Sequence, residues 1–169
     1  MFKVFRDMRR KNQNLSSDEC VAILKKATSG VLAVSGDNQY PYAVPLSYVY
    51  SKGKLYFHCA KKGHKLDALA GNDKVSFCVI DQDNVVPNEY TTYFRSVILF
   101  GRARILAGET EKRQALELLA AKYSPDHKQG RLKEINEQLR NVSMVEITVE
   151  HLSGKESAEL AKEKTEGGH

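Results

Sequence analysis

The sequence predicts a mainly β protein, a six-stranded antiparallel β-barrel with peripheral helices. Six segments are rich in β-branched and aromatic residues, and turns or short helical stretches separate them. In the longest uncharged segment, residues 38–51, the side chains alternate with the period of two that a strand requires. The 169 residues, of which 41% are hydrophobic and 28% charged, suit one globular domain.

The first half of the chain predicts one helix followed by three strands. Ser16 and Glu19 have the spacing of a capping box, and Cys20, Ile23, Leu24 and Ala27 repeat with a helical period behind it. Strands are then expected over residues 31–36, 42–50 and 55–60. Residues 51–54, Ser-Lys-Gly-Lys, form the hairpin turn between the last two strands.

The second half predicts three helices and three further strands. The helices are a short one with Leu66, Leu69 and Ala70 on its apolar side, and two longer ones over residues 110–123 and 129–140. The strands cover residues 75–81, 91–106 and 142–149, with a loop over 83–88 and a bulge or bend at Gly101. We therefore expect one domain, residues 1–152, with a basic N-terminal arm, and a polar tail, residues 153–169.

Charge and composition indicate which kinds of partner to expect and in which cellular compartment the protein is found. The net charge is +5 and the isoelectric point is near 9.0, but the basic residues form no stripe interleaved with aromatic residues. We expect no nucleic-acid partner and no membrane partner. The charged first residues lack the apolar stretch of a secretory signal, and the three cysteines are widely spaced. Both features predict a cytoplasmic protein with reduced thiols.

The densest candidate site is the basic run Lys61-Lys62-Gly63-His64-Lys65 between a strand and a helix. Ammonium groups, an imidazole and the free amides of a helix N-terminus would converge there, and Gly63 would let the backbone approach a ligand closely. This arrangement suits a phosphate group. A solvated charged turn is the alternative interpretation.

Three further features carry weaker signals. Pro45 lies inside a predicted strand, so that segment is either a sheet edge or has its backbone turned toward something other than a strand. His58 is a candidate catalyst or a structural histidine, and Arg95 lies among aromatic residues where it could pair with an anion. Neighbouring strand residues point to opposite faces, so we expect no metal site at His58, Cys59 and His64.

Four segments resemble one family, the pyridoxamine 5′-phosphate oxidase-related flavoproteins, and within it the nitroimidazole-resistance proteins. They are YPYAVPLSYVY at 40–50, LYFHCAKKGHK at 55–65, NDKVSF at 72–77 and FRSVILFGRA at 94–103. The resemblance covers about residues 5–155. It implies the FMN-binding split barrel, a six-stranded antiparallel barrel that forms a homodimer with FMN at the interface.

The resemblance also implies which residues bind FMN. The isoalloxazine edge would be faced by Tyr42, Ala43, Val44, Pro45, Leu46 and Ser47, and the ribityl side would be lined by His58, Cys59 and Ala60. The phosphate would be held by Lys61, Lys62, His64 and Lys65. Two residues, Arg95 and Ser96, would reach the flavin from the partner subunit. Ser96 stands where the authentic oxidases have a glutamine.

The function that the resemblance implies is an FMN-dependent oxidoreductase. Electrons would pass from reduced flavin to a small acceptor such as a nitroimidazole or quinone, with His58 as proton donor or positioning group. The chain has no tryptophan and lacks the C-terminal Trp- and Arg-rich motif of the vitamin B6 oxidases, so that activity is not expected. The alternatives are a non-catalytic flavin-binding or sensing protein, and a split barrel that takes haem or a deazaflavin.

Overall fold

A computed structural model describes residues 5–166, without the side chains of residues 128 and 129. The five helices are α1 (Ser17–Lys26), α2 (His64–Gly71), α3 (Glu109–Tyr123), α4 (Lys128–Asn141) and α5 (Ala158–Glu166). The seven strands are β1 (Ser29–Ser35), β2 (Pro41–Ser47), β3 (Val49–Ser51), β4 (Lys54–Ala60), β5 (Lys74–Val86), β6 (Thr91–Ile105) and β7 (Val142–Glu156). Between residues 5 and 166, none of the helices combines the length and hydrophobicity needed to span a bilayer.

The strands form a single antiparallel sheet in the order β2-β1-β5-β6-β7-β4-β3. This confirms the predicted class, although seven strands replace the expected six. The reason is a break at Tyr48, which divides the expected strand over 42–50 into β2 and β3. These two strands pair with β1 and β4 at opposite ends of the sheet. Residues 41–51 therefore connect the two edges of the sheet.

The inner face of the sheet encloses the main hydrophobic core. Leu32, Leu55, Phe57 and Leu99 are fully buried there, each at 0% exposure. Two helices also contribute to this core, α1 through Leu24 and α2 through Leu66 and Leu69. Ala70, which we expected on the apolar side of α2, is exposed, and Ala68 packs against the core instead.

A second hydrophobic cluster lies between the sheet and the hairpin formed by α3 and α4. Leu116 and Leu119 of α3 and Ile135 of α4 pack against Val49 of β3 and Met144 of β7. The helical hairpin therefore covers the region where β3, β4 and β7 are neighbours.

Two of the predicted boundaries are wrong. The segment 83–88 was expected to be a loop, but β5 continues to Val86 and pairs with the first residues of β6 across a register shift between Ile80 and Gln82. The last strand, β7, extends beyond 149 to Glu156, and α5 follows it. Residues 153–156 of the expected tail thus belong to the sheet, because residues 95–98 of β6 offer them a full row of backbone partners.

The expected irregularity at Gly101 is confirmed. The register between β6 and β7 shifts between Phe100 and Gly101. A Cβ atom on Gly101 would lie 2.3 Å from the Thr148 carbonyl oxygen, so only glycine allows the two strands to approach this closely.

Candidate functional site

The segment expected to face a flavin ring forms β2, at one edge of the sheet. Tyr42, Val44 and Leu46 are half-buried and pack against the main core, whereas Ala43, Pro45 and Ser47 are exposed. An edge strand leaves one row of backbone N–H and C=O groups without a strand partner. This position explains how the sheet accommodates Pro45, which lacks an N–H donor.

The basic run lies where β4 ends and α2 begins. Lys61, Lys62 and His64 are exposed, and Lys65 is half-buried with its ammonium group 5.8 Å from the centre of the Phe57 ring. Gly63 is the N-cap of α2, and no side chain hydrogen-bonds to the first-turn amides. Its φ of 138° lies in the region that favours glycine. The positive end of the helix dipole thus lies beside two exposed lysines, Lys61 and Lys62, and one half-buried lysine, Lys65.

A stacking contact joins these two segments. The rings of Tyr42 on β2 and His64 on α2 are stacked with their centres 4.1 Å apart. His64 Nε2 also lies 3.7 Å from a carboxylate oxygen of Asp37. The free edge of the sheet and the uncapped helix therefore form one continuous surface, which the sequence could not show because 22 residues separate Tyr42 from His64.

His58 lies on the outer face of β4 and lines a cavity of about 320 Å³. The other walls of this cavity come from Ser47 at the end of β2, from α3 and from α4. The residues of the helices are Leu116, Leu119, Ala120, Tyr123, Glu134, Ile135 and Gln138. The predicted catalytic residue, His58, and the last predicted residue of the strand segment, Ser47, thus line the same solvent-open cavity.

Cys59 and Ala60 complete β4. Cys59 packs toward the main core, and burial raises the pKa of its thiol. His58 and Cys59 therefore face opposite sides of the strand. Within residues 5–166, no group of three or more His, Cys, Asp and Glu side chains is placed to hold a metal ion.

Arg95 and Ser96 lie apart from this surface, on β6, three strands away from β2 in the sheet order. The guanidinium of Arg95 lies 3.1 Å from Glu156 and 3.7 Å from Asp81. Glu156 is 1% exposed, and Lys164 of α5 also pairs with it. Arg95 is therefore held by carboxylates of its own chain, an arrangement that the sequence did not predict.

Sequence reasoning also missed the role of Tyr123, the last residue of α3. Its hydroxyl accepts a hydrogen bond from the Tyr48 amide at 3.0 Å and is paired with the Tyr48 carbonyl at 2.8 Å and with the Thr28 carbonyl. These contacts satisfy the backbone where β2 and β3 separate. The α3–α4 hairpin, and with it one wall of the cavity, is thereby fixed to the break in the strand.

Comparison with known proteins identifies the family and similar folds. The family described as pyridoxamine 5′-phosphate oxidase matches residues 16–156. A putative 5-nitroimidazole antibiotic resistance protein from Bacteroides thetaiotaomicron has a similar structure, with a TM-score of 0.71, 22% identity, and coverage of 84% of this chain and 85% of that one. No curated protein matches the sequence significantly.

Two other similar structures have names that mention cofactors. A FAD-binding protein from Mesorhizobium loti has a TM-score of 0.63 and 26% identity, with coverage of 86% of this chain and 98% of that one. A FAD and haem binding protein from Mycobacterium smegmatis has a TM-score of 0.72 and 22% identity, with coverage of 88% and 74%. Because the family match spans most of the chain and the sheet has the matching architecture, this protein belongs to the pyridoxamine 5′-phosphate oxidase family, with a split-barrel fold.

Proposed function

We propose that this protein is an FMN-dependent oxidoreductase that passes electrons from reduced flavin to a small acceptor. The observation that carries the proposal is the stack of Tyr42 on His64, at 4.1 Å. It joins an open strand edge, suited to a flat heterocycle, to an uncapped basic helix start, suited to a phosphate. These are the two ends of an FMN molecule.

The start of α2 fits the phosphate. A phosphate dianion needs hydrogen-bond donors and positive charge, and the first-turn amides of α2 lack a capping side chain. Lys61, Lys62 and Lys65 supply the charge, with His64 as a further donor beside them. Gly63 has no atom within 4 Å of the position of a Cβ, so the backbone is open to a ligand on that side.

The edge strand fits the ring. The exposed residues of β2 include Ala43, Pro45 and Ser47, which are small enough to let a flat molecule approach the backbone. The free N–H and C=O groups of an edge strand match the donors and acceptors along one side of an isoalloxazine. Bound there, the flavin would supply the two-electron redox chemistry, while the protein would supply orientation and electrostatics.

The exposed apolar residues of the long β5–β6 hairpin support a homodimer. Ile80 is 66% exposed and Val85 is 65% exposed on β5, and Ile98 and Phe100 of β6 are 41% and 39% exposed. Exposed apolar side chains concentrated on one element mark a protein interface. In the proposed dimer the flavin lies at the interface, and Arg95 and Ser96 on β6 face the flavin of the other subunit. Arg95 would contact that flavin only with the guanidinium edge that its pairs with Glu156 and Asp81 leave open.

A reducing compartment suits the cysteines, all three of which are unpaired. We therefore place the enzyme in the cytoplasm as part of the proposal.

The first test is the visible absorption spectrum of the purified protein, with mass analysis of any chromophore released on denaturation. FMN at about one per chain is the expected result. Bound FAD would keep the flavin and correct the cofactor, whereas haem, a deazaflavin or failure to bind added FMN would overturn the proposal. Light scattering coupled to gel filtration measures the mass, for which we expect the dimer.

The second test separates an enzyme from a flavin carrier. The flavin is reduced with dithionite, and its reoxidation by a nitroaromatic acceptor is followed without oxygen. Wild-type protein should reoxidise rapidly, and the His58→Ala variant should slow by about 100-fold if His58 transfers a proton to the acceptor. His127→Ala, at an exposed position before α4, is the matched control and should change nothing. Equal rates for His58→Ala and wild type would exclude the catalytic role of His58.

A further inference from the structure

The cavity beside His58 has a composition that points to a particular class of ligand. Its volume of about 320 Å³ is at the lower end of the range for small-molecule sites. Four of its lining residues are apolar, namely Leu116, Leu119, Ala120 and Ile135. A space of this size with such walls suits one small flat ring system.

The polar groups of the cavity are divided between its two sides. On the barrel side, Ser47 and His58 contribute a hydroxyl and an imidazole. On the helix side, Glu134 contributes a carboxylate, which accepts a hydrogen bond of 2.8 Å from the side-chain amide of Gln138 one turn later. This bond holds the carboxylate on the cavity wall. Because the Tyr123 hydroxyl is engaged by the backbone, it is not free to bind a ligand.

The charge of this cavity is opposite to that of the helix start. The surface at α2 carries three lysines in the sequence around Gly63, which favours an anion. The cavity has Glu134 as its charged wall residue, and a carboxylate repels an anionic ligand that enters next to it. The protein therefore presents two adjacent binding regions of different ligand chemistry.

We propose that this cavity binds the electron acceptor and that Glu134 makes it select neutral or cationic flat nitroaromatic rings over anionic ones. The inference rests on the proposed function, because that function defines the bound ring as an acceptor. In this role Glu134 is a specificity-determining residue of α4. The chemistry of the acceptor's nitro group remains at the barrel side, where His58 lies.

Three probes of similar size carry different charges: 4-nitrobenzyl alcohol is neutral, 4-nitrobenzylammonium is cationic and 4-nitrobenzoate is anionic. Their binding to the purified protein is measured by NMR, from the shifts of the labelled methyl groups of Ala120 and Ile135. We expect the alcohol and the ammonium compound to bind, and the benzoate to bind about threefold to fivefold more weakly. The effect is this small because Glu134 is exposed and water screens its charge. Absence of shifts with all three, or equal affinities, would overturn the inference.

Two variants test whether the Glu134 carboxylate causes the weaker binding of benzoate. Glu134→Gln should remove the discrimination against benzoate while leaving the affinity for the alcohol unchanged. Glu137→Gln removes the same charge from the same helix, but this residue lines a separate surface groove with Lys133 and Asn136. It should retain the discrimination. If both variants lose it equally, the effect is the net charge of α4 and not a contact in the cavity, and the inference is wrong.

The two proposals can fail separately. Protein that binds no flavin but still gives the charge-ordered methyl shifts would overturn the proposed function and leave the cavity as a binding site. Protein that reoxidises with nitroaromatics but gives no shift at Ala120 and Ile135 would keep the proposed function and place the acceptor elsewhere. A filled cavity, made with Ala120→Met, should abolish the shifts at Ile135 while the thermal melting curve confirms folding.

Discussion

The N-termini of α1 and α2 are built in opposite ways. At α1, the Ser16 side chain accepts a hydrogen bond from the Glu19 amide at 3.3 Å, and the Glu19 carboxylate accepts one from the Ser16 amide at 2.8 Å. At α2, the N-cap is Gly63, and no side chain bonds to the first-turn amides. The first helix satisfies the Glu19 amide with a side chain, whereas the second has no capping side chain and its Leu66 amide donates to the Gly63 carbonyl at 2.9 Å.

The charged residues near the two helix N-termini also differ. Glu19 and Asp18 place negative charge in the first turn of α1, where it offsets the helix dipole internally. The start of α2 is preceded by Lys61 and Lys62, and its first turn holds Lys65 together with one acidic residue, Asp67. The lysines add to the positive end of the dipole. A completed cap stabilises the fold, whereas an uncapped, basic helix start leaves amides and positive charge to which an anion can bind.

Among the changes at the two helix starts, removing the Lys65 side chain from α2 should have the largest effect, a loss of FMN affinity. Lys65→Ala should weaken FMN binding by roughly 30-fold, since a hydrogen bond to a charged group contributes about 2 kcal/mol. Fluorescence titration measures the affinity. Riboflavin, which lacks the phosphate, should bind both proteins equally, and Lys52→Ala in the hairpin turn is the matched control. A parallel loss of riboflavin affinity would show that Lys65 does not act on the phosphate.

A side chain at the N-cap of α2 should have the next largest effect. Gly63→Ala forces alanine into a φ of 138° and should cost about 1–2 kcal/mol of unfolding free energy. It should also weaken FMN binding, because the same backbone meets the phosphate in the proposed site. Gly53→Ala in the hairpin turn, at a φ of 77°, should destabilise similarly without changing FMN affinity. Urea unfolding and FMN titration of both variants make the comparison.

Breaking the cap of α1 should affect stability alone. Ser16→Ala removes the acceptor for the Glu19 amide, and loss of an N-cap costs about 1 kcal/mol. Urea unfolding measures this cost, and the FMN affinity should equal that of wild type. Ser16→Asp, which keeps an acceptor at this position, should restore most of the stability. A lower FMN affinity in Ser16→Ala would contradict the separation of the two helix starts.

The smallest effect should come from Glu19→Gln at the cap of α1, which changes how the unfolding free energy depends on pH. Hydrogen bonds from Lys164 and from the Ser16 amide lower the pKa of Glu19 to about 2. Its contribution to stability is therefore complete above its ordinary pKa of 4.5 and is lost as the pH falls toward 2. Between about pH 5 and pH 2, wild type should lose more unfolding free energy than Glu19→Gln. Identical pH profiles in urea unfolding would contradict this assignment.

Local patterns predicted most elements of the fold. The capping box at Ser16 and the positive φ values of Lys52 and Gly53 in the hairpin turn occur where the sequence placed them. The continuation of β5 to Val86 was missed, because Asp83 and Asn84 are poor strand residues by themselves. Their pairing with Tyr93 and Phe94 of β6 outweighs that preference. Pairing between strands is a tertiary interaction that intrinsic propensity does not contain.

The sequence identified individual residues of the candidate site but not how they are arranged in space. The basic run and Pro45 were identifiable from residue types, since glycine, lysine and proline have conformational and charge properties that hold in any context. The wall that α3 and α4 build opposite His58 gave no local signal, because Glu134 and Gln138 have the spacing of an ordinary solvated helix face.

The antiparallel β class, the start of α1, the hairpin turn and the concentration of positive charge before α2 follow from local residue patterns, since each depends on neighbours within a few residues. Three contacts depend on the folded chain: Tyr42 stacks on His64, Tyr123 hydrogen-bonds to the backbone at Tyr48, and Arg95 pairs with the buried Glu156. These contacts join residues 22, 75 and 61 positions apart. Their partners are fixed by the register and closure of the sheet, which is a property of the whole chain.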